Sequence, residues 1–343
     1  MNTIIGLIII AIGSLGQSSS YVPINKVKNW SWECFWLIQG IFAWLVFPLI
    51  GALIALPSNV SLFDILSTNG AMWKSAGYGV LWGIGGLTFG LSMRYLGIAL
   101  GQSLALGTCS AFGTLIPALL KGENLFSGDG LILLIGVSIA IAGIAVIGYA
   151  GALKSKNMSE EERKKAVKDF ALKKGLLIAL LAGVMSACFN LGLEAGAPIK
   201  ATLLKLGASE LLALNPVILL VTIGGFITNA SYCLFQNFKN NTFKDYTSIS
   251  GSVFINNILF CALAGLLWYS QFFGLGVGQS FFEPNSVMMA FSWSILMSLN
   301  ILFSNVWGII LKEWKGAGQK TITVLTIGLV ILIISIIIPQ ILK

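Results

Sequence analysis

Residues Trp82 to Ser103 read WGIGGLTFGLSMRYLGIALGQS, and the end of this stretch returns later in altered form. From Tyr95 the chain runs Tyr-Leu-Gly-Ile-Ala-Leu-Gly-Gln-Ser, and from Phe272, 177 residues on, it runs Phe-Phe-Gly-Leu-Gly-Val-Gly-Gln-Ser. The identities, reached without a gap, are Gly97 with Gly274, Gly101 with Gly278, Gln102 with Gln279 and Ser103 with Ser280. The echo holds the same place in two halves of similar length, which suggests a duplication. A second anchor agrees: Leu120-Lys121-Gly122-Glu123 corresponds to Leu311-Lys312-Glu313 at an offset of 191, so the second half has gained 14 residues between the anchors. They are expected as a loop insertion beginning near Phe281.

A chain with 56% hydrophobic and 10% charged residues has too little polar surface to cover a soluble globule, so it is expected in a membrane. A spanning helix needs roughly 20 apolar residues, and long unbroken apolar runs disfavour a β-barrel, whose strands alternate. Ten runs qualify, near residues 3–22, 33–56, 75–93, 98–120, 131–153, 175–196, 213–235, 253–273, 286–311 and 321–342. The first is read as a span rather than a signal peptide, having no basic segment before it. The polar stretch 154–174, KSKNMSEEERKKAVKDFALKK, is the natural linker. The expected fold is an all-α polytopic membrane protein of ten transmembrane helices in two five-helix repeats, 1–153 and 175–343, joined by the cytoplasmic linker 154–174.

Of the 21 Lys and Arg residues, 16 fall in the odd-numbered connections and five in the even ones and at the ends. Positive charge stays on the cytoplasmic side, which places the odd connections inside and both termini outside. The net charge of +8 is thereby a matter of orientation in the bilayer, not of nucleic-acid binding. Five spans per half make the second repeat enter the membrane in the opposite sense, a common plan of secondary transporters.

Polar side chains inside hydrocarbon face the bundle interior or a water-filled cavity. Helical spacing puts Gln17 and Ser20 on one face of the first helix with Tyr21 beside them, and Ser186, Asn190 and Glu194 on one face of the sixth. The eighth carries Asn257, Cys261, Trp268 and Gln271 along one stripe, and the ninth carries Trp293, Met297, Asn300 and Ser304. Trp82, Gly86 and Phe89 form an apolar stripe on the third. Such residues commonly glue helices together. Amides beside an indole also suit a neutral polyol, whose hydroxyls need donors and acceptors while its ring lies on the aromatic face. Ion coupling needs a titratable group within the membrane, and Glu194 is the candidate; Glu33, Glu123 and Glu313 sit at helix ends and read as solvated.

No histidine, no CxxC, no P-loop, no GxSxG and no HExxH occur, so an enzyme, a bound metal or other cofactor, and an ATP-driven pump are not expected. Five cysteines, Cys34, Cys109, Cys188, Cys233 and Cys261, lie singly in apolar runs and read as packing residues.

Several blocks together resemble the L-rhamnose/proton symporter family: Pro23-Ile-Asn-Lys-Val-Lys-Asn-Trp-Ser-Trp-Glu33, Trp82-Gly-Ile-Gly85, Met93-Arg-Tyr-Leu-Gly97, Leu267-Trp-Tyr-Ser-Gln-Phe-Phe273 and Leu311-Lys-Glu-Trp314. The resemblance runs through the whole chain. It implies the ten-helix plan of the drug/metabolite transporter superfamily, a bacterial inner-membrane location, and uptake of L-rhamnose with protons. It gives weight to Tyr21, Trp82, Arg94, Asn229, Asn257, Trp268, Tyr269, Gln271 and Trp293. The family carries histidine where this chain has Asn256 and Leu296, and Gln17, Asn190 and Glu194 stand outside the shared pattern. The resulting expectation is a sugar site of Tyr21, Asn190, Asn229, Asn257, Trp268, Gln271 and Trp293, a proton site at Glu194, and a gating or structural role for Trp82 and Arg94. The rival readings are another deoxysugar or exported metabolite, sodium-coupled or facilitated movement, and a non-transporting membrane sensor or scaffold.

Overall fold

The computed structural model describes residues 2–67, 70–96, 98–156, 172–312 and 314–342, and leaves out the side chains of 93, 94, 98–100, 102, 155 and 172. Expectations resting on the Arg94 side chain, on Gly97 and Gln102 of the repeat, on Glu313 and on most of the linker 154–174 lie outside the described residues.

The long helices are α1 (Thr3–Ser19), α2 (Trp32–Ile54), α3 (Ala71–Leu96), α4 (Ile98–Leu120), α5 (Gly128–Lys156), α6 (Leu172–Ala195), α7 (Asn215–Asn240), α8 (Gly251–Gln279), α9 (Val287–Ile310) and α10 (Gln319–Ile341). Short helices Tyr21–Ile24, Leu62–Leu66, Ala197–Lys205 and Phe243–Tyr246 sit in the connections. No strand occurs among the described residues. Nine helical stretches among them are long and apolar enough to cross a membrane. The remaining long helix, α3, has 26 residues, of which Gly77, Gly79, Gly83, Gly85, Gly86 and Gly90 dilute its apolar content.

The second copy of the echo lies inside the last turns of α8, not in a connection, and Ser280 caps that helix. The connection to α9 is correspondingly short, since α9 starts at Val287. Seven residues, 280–286, still separate α8 from α9 where one separates α3 from α4, and α8 is three residues longer than α3. Echo residues Gly274 and Gly278 work there by being small: α1 packs on them at Ile9, Gly13, Gly6 and Ile10.

Contacts divide the chain into two units, each drawing on both sequence halves. The first comprises Asn2–Gly83 and Gly192–Phe281, the second Ile84–Leu191 and Phe282–Lys343. Within the first, α1 lies antiparallel to α8, with Gly16 at Leu267 and Ser270, Gly13 at Ser270 and Gly274, and Gly6 at Gly278. The Ser270 hydroxyl donates to the Gly13 carbonyl at 3.1 Å. Helix α7 runs antiparallel to α2. Within the second, α5 and α10 pack closely, Gly143 against Leu332 and Gly328 against Ile147, around a core of Ala140, Ile144, Ala150, Leu325 and Leu332.

Helices α3 and α6 each pass from one unit into the other, and within the second unit they run antiparallel. Gly175 meets Tyr95 and Leu96, Gly85 meets Ser186, and the Ser75 hydroxyl donates to the Gly192 carbonyl at 2.9 Å.

The connections meet in a regular pattern. In the first unit, the α1–α2 connection is tied to α8 and to the α7–α8 connection: Ser31 N–H donates to Asp245 at 3.0 Å, and Trp30 packs edge-on against Tyr246 at 5.5 Å. Leu62–Leu66, after α2, touches Ala197–Lys205, after α6. In the second unit, the Lys154 ammonium at the end of α5 lies over the Trp314 ring after α9, and that of Lys174 lies over Tyr95.

Candidate functional site

In the first unit the residues that stand out are aromatic. Helix α2 widens at Ile41–Val46 into a π-turn, in which Phe47 N–H donates to Phe42 five residues back. Pro48 helps place this turn, because it has no N–H to offer the Trp44 carbonyl four residues before it. Gly265 of α8 packs directly on the Phe42–Ala43 backbone, where a Cβ would not fit.

The π-turn carries Trp44, 3% exposed, whose ring lies over Gly40. Its centroid is 5.9 Å from those of both Trp82 and Trp268, at interplanar angles of 89° and 81°. Trp82 and Trp268 are themselves 5.7 Å apart and tilted by 36°. Phe272 closes on Trp268 at 5.1 Å. Trp36 reaches Trp44 at 5.7 Å and stacks on Trp32 at 5.4 Å. The absence of a Cβ on Gly225 lets the Trp82 ring rest on α7.

Amides surround this cluster. The Trp36 indole N–H donates to Asn229 Oδ1 at 3.2 Å, while Asn229 Nδ2 donates to the Gly225 carbonyl at 2.9 Å. Gln271, 3% exposed, donates to the Trp268 carbonyl at 3.1 Å. Tyr269 donates its hydroxyl to Asn215 Oδ1 beside Gly51. Two buried polar atoms on α2 have no partner among the described residues, the Trp44 indole N–H and Gln39 Oε1. A buried donor or acceptor left unmade costs about 1–3 kcal/mol, so such atoms mark places where a hydroxyl or water is wanted.

Asn257 serves the chain itself. Its Oδ1 accepts from Lys28 N–H at 2.9 Å and its Nδ2 donates to the Lys28 carbonyl at 2.8 Å, which pins the α1–α2 connection to α8. Tyr21 is exposed, and Glu194 is half-buried near the end of α6.

In the second unit Asn190 and Trp293 come together at Gly113. Asn190 Nδ2 donates to the Gly113 carbonyl at 2.7 Å, and the Trp293 ring lies against the Gly113 Cα. Trp293 also donates its N–H to the Cys109 carbonyl at 3.3 Å and stacks on Phe189 at 6.0 Å. One turn away Ser110 and Ser294 share a hydrogen bond of 2.9 Å.

Of the residues expected from sequence, Trp82, Trp268, Gln271 and Asn229 are thus gathered in one cluster, and Asn190 and Trp293 in another. Trp44, Trp36 and Gln39 escaped the sequence reading. Gly40 four residues before Trp44 is a visible sign of a ring lying back on its own helix, but the π-turn that aims it is not. Glu33, read as solvated, is buried at 6% exposure.

The family described as "L-rhamnose-proton symport protein" matches residues 1–341. An L-rhamnose-proton symporter of Yersinia pestis (strain Pestoides F) is 34% identical over 337 residues, covering 97% of this chain and 96% of that one. The symporter of the same name from Yersinia pseudotuberculosis serotype O:1b (strain IP 31758) shows the same identity and coverage. That of Mannheimia succiniciproducens is 35% identical over 329 residues, 94% of this chain and 93% of the relative.

Proposed function

We propose, for a chain that belongs to the L-rhamnose-proton symport family, that it imports L-rhamnose or a close deoxysugar together with a proton across the bacterial inner membrane by alternating access. The observation that carries this reading is the Trp44, Trp82 and Trp268 cluster, ringed by the amides of Asn229 and Gln271 and holding an unpartnered indole N–H. Indole faces take the apolar face and methyl group of a 6-deoxysugar, and the Trp44 N–H donates to one of its hydroxyls. Asn190 and Trp293, which donate to the Gly113 and Cys109 carbonyls, are kept among the proposed sugar residues from sequence. Tyr21 and Asn257 stay within the site as proposals, Asn257 through its hold on Lys28. Trp82 is a gating residue by its place in the triad, and Arg94 is proposed as one from sequence.

The ten-span, inverted-repeat plan of the drug/metabolite transporter superfamily is supported by the way helices pair. Exchanging the halves turns α1 into α6, α2 into α7, α3 into α8, α4 into α9 and α5 into α10. Under that exchange the α1–α8 pair becomes the α6–α3 pair, and both are antiparallel with a serine hydroxyl bonded to a glycine carbonyl. The α2–α7, α4–α9 and α5–α10 pairs map onto themselves. Helix α3 belongs among the spans because it runs antiparallel beside α6, from Ser75 at Gly192 to Leu96 at Gly175. The meeting of first with seventh, third with fifth, fifth with ninth, and second with sixth connections is what ten crossings produce. On this reading the repeats are 1–153 and 175–343, with the linker and all odd connections cytoplasmic and both termini periplasmic, and the charge distribution supports that orientation.

Counterflow of labelled L-rhamnose in proteoliposomes tests the reading. Exchange of another sugar but not rhamnose would remove the substrate and keep the transporter; exchange of no small solute would favour a sensor. Glu194 is the coupling carboxylate that the sequence puts forward. Sugar uptake that still carries protons inward after Glu194→Gln places the proton elsewhere.

A further inference from the structure

Proton symport, as proposed above, needs a group that takes up a proton on one side of the cycle and loses it on the other. Glu33 is the one charged side chain that is buried among the described residues. It stands in the first turn of α2, held by neutral donors at the end of α7: Asn240 Nδ2 donates to its Oε1 at 2.9 Å, and Thr242 Oγ lies 2.9 Å from the same oxygen.

Counting hydrogens around Thr242 shows what this arrangement lacks. Its hydroxyl oxygen is also 2.9 Å from Asn237 Oδ1. The orientation of the Asn237 amide is fixed, because its Nδ2 donates to the Cys233 carbonyl at 3.0 Å. Thr242 therefore faces two acceptor oxygens with a single hydrogen. While Glu33 is ionised, one of these two short oxygen–oxygen contacts has no hydrogen in it. When Glu33 takes a proton on Oε1, its O–H donates to Thr242 and the Thr242 O–H donates to Asn237, so that both contacts are filled. The cluster has one hydrogen fewer than its two contacts can hold, and a proton on Glu33 would supply it.

The titratable neighbours are Cys34 on the same helix, Cys233 on α7, and Asp245 and Tyr246 of the Phe243–Tyr246 turn, while Lys239 and Lys244 are exposed. Asp245 is engaged with Ser31 N–H and adds negative charge, whereas the hydrogen bonds from Asn240, from the Glu33 backbone and from Thr242 favour the charged carboxylate. Burial pushes the Tyr246 phenol well above its usual range, so it stays neutral and does not compete for the role.

The same seam leads to the tryptophans. Glu33 and Cys34 grip α7 at Asn237 and Asn240, and one turn along α2 Trp36 grips it at Asn229 and touches Trp44. We infer that Glu33 is the proton-carrying residue, and that its protonation is felt at the sugar site through the α2–α7 seam. The step balances simply: the carboxylate gains one proton from solution on one side and the carboxylic acid releases it on the other, with no other bond changed. Because linkage is reciprocal, protonation that favours sugar binding makes the sugar affinity fall by up to about tenfold per pH unit once Glu33 deprotonates.

The inference rests on the symport reading, and one set of proteoliposomes separates the two. Wild type is assayed for rhamnose counterflow, for accumulation driven by a pH gradient, and for rhamnose-dependent internal acidification. Absence of rhamnose counterflow in wild type overturns the substrate reading. With Glu33→Gln we expect counterflow to continue, while accumulation falls to equilibration and acidification disappears; the apparent sugar affinity becomes independent of pH. Acidification that persists in Glu33→Gln overturns the assignment, and so does loss of counterflow along with accumulation, which would make Glu33 a brace. Asn240→Ala gives a reading that does not need the first variant to fold. It leaves the carboxyl in place and removes a donor that stabilises its charged form, so coupling should survive with its pH midpoint moved to the alkaline side. An unmoved midpoint overturns the assignment.

Discussion

Trp44 and Trp293 are buried to the same degree, at 3% and 2% exposure, yet they differ in how their polar atom is treated. Trp293 lies against Gly113, stacks on Phe189 and spends its N–H on the Cys109 carbonyl. Trp44 lies over Gly40, touches three other indoles, and leaves its N–H without a partner. Burial alone cannot tell a packing residue from a binding residue. The polar atoms divide them: one indole N–H is satisfied by the chain and the other is not, which is why Trp44 rather than Trp293 is the one proposed to meet the sugar.

The strongest way to break this contrast is to remove each ring. Trp293→Ala and Trp44→Ala should each cost about 3–5 kcal/mol of stability from the cavity left behind, read as thermal melting in detergent. Equal losses would say only that both rings pack, and the smaller changes decide the matter. Gly113→Ala and Gly225→Ala each push a methyl group into an indole, of Trp293 and Trp82 respectively, at a cost of about 1–3 kcal/mol. If the tryptophan cluster holds the sugar, Gly225→Ala should also weaken rhamnose binding, measured by the concentration for half-maximal uptake.

Asn257→Ala should lower stability by about 1–3 kcal/mol, because it strands both backbone groups of Lys28. Unchanged melting with weakened sugar binding would instead put Asn257 among the sugar ligands. The smallest effect is the sharpest. Trp44→Phe and Trp293→Phe remove the same ring volume, and Trp293→Phe should cost about 1 kcal/mol more because it also removes the indole bond to the Cys109 carbonyl, whereas Trp44→Phe removes no hydrogen bond within the chain and should weaken sugar binding about tenfold. Reversed outcomes would exchange the roles of the two tryptophans.

Much of the architecture was open to reading from hydropathy, because a span must be apolar for its whole length and its connections must be polar. Helix α3 shows the limit: its glycines lower its apolar content, and it falls outside the nine stretches apolar enough to cross a membrane among the described residues. The echo suggested duplication, and the expected runs left its second copy outside the eighth helix, since Gly-rich sequence ends a helix in one setting and packs another helix in the next. At the candidate site, Trp268 and Gln271 were legible as residues on one helical stripe, while Asn229 came only from the family resemblance. Trp44 was not, because its direction depends on a π-turn that changes the helical period locally. Glu33 looked solvated because it begins a helix; what buries it is the chain around Thr242, more than 200 residues away in sequence. Long-range partners of this kind leave no local pattern.

The widened turn at Ile41–Val46 has one more consequence. In a regular lattice an extra row is a dislocation, and dislocations glide: each step trades one bond for its neighbour, so the fault travels without the lattice melting. A single surplus residue in α2 is such a fault. Gliding past Trp44 would turn that side chain by about 100° and draw the rest of the helix along by about 1.5 Å. The membrane-spanning rod that carries both the carboxyl and the indole thus contains its own gear.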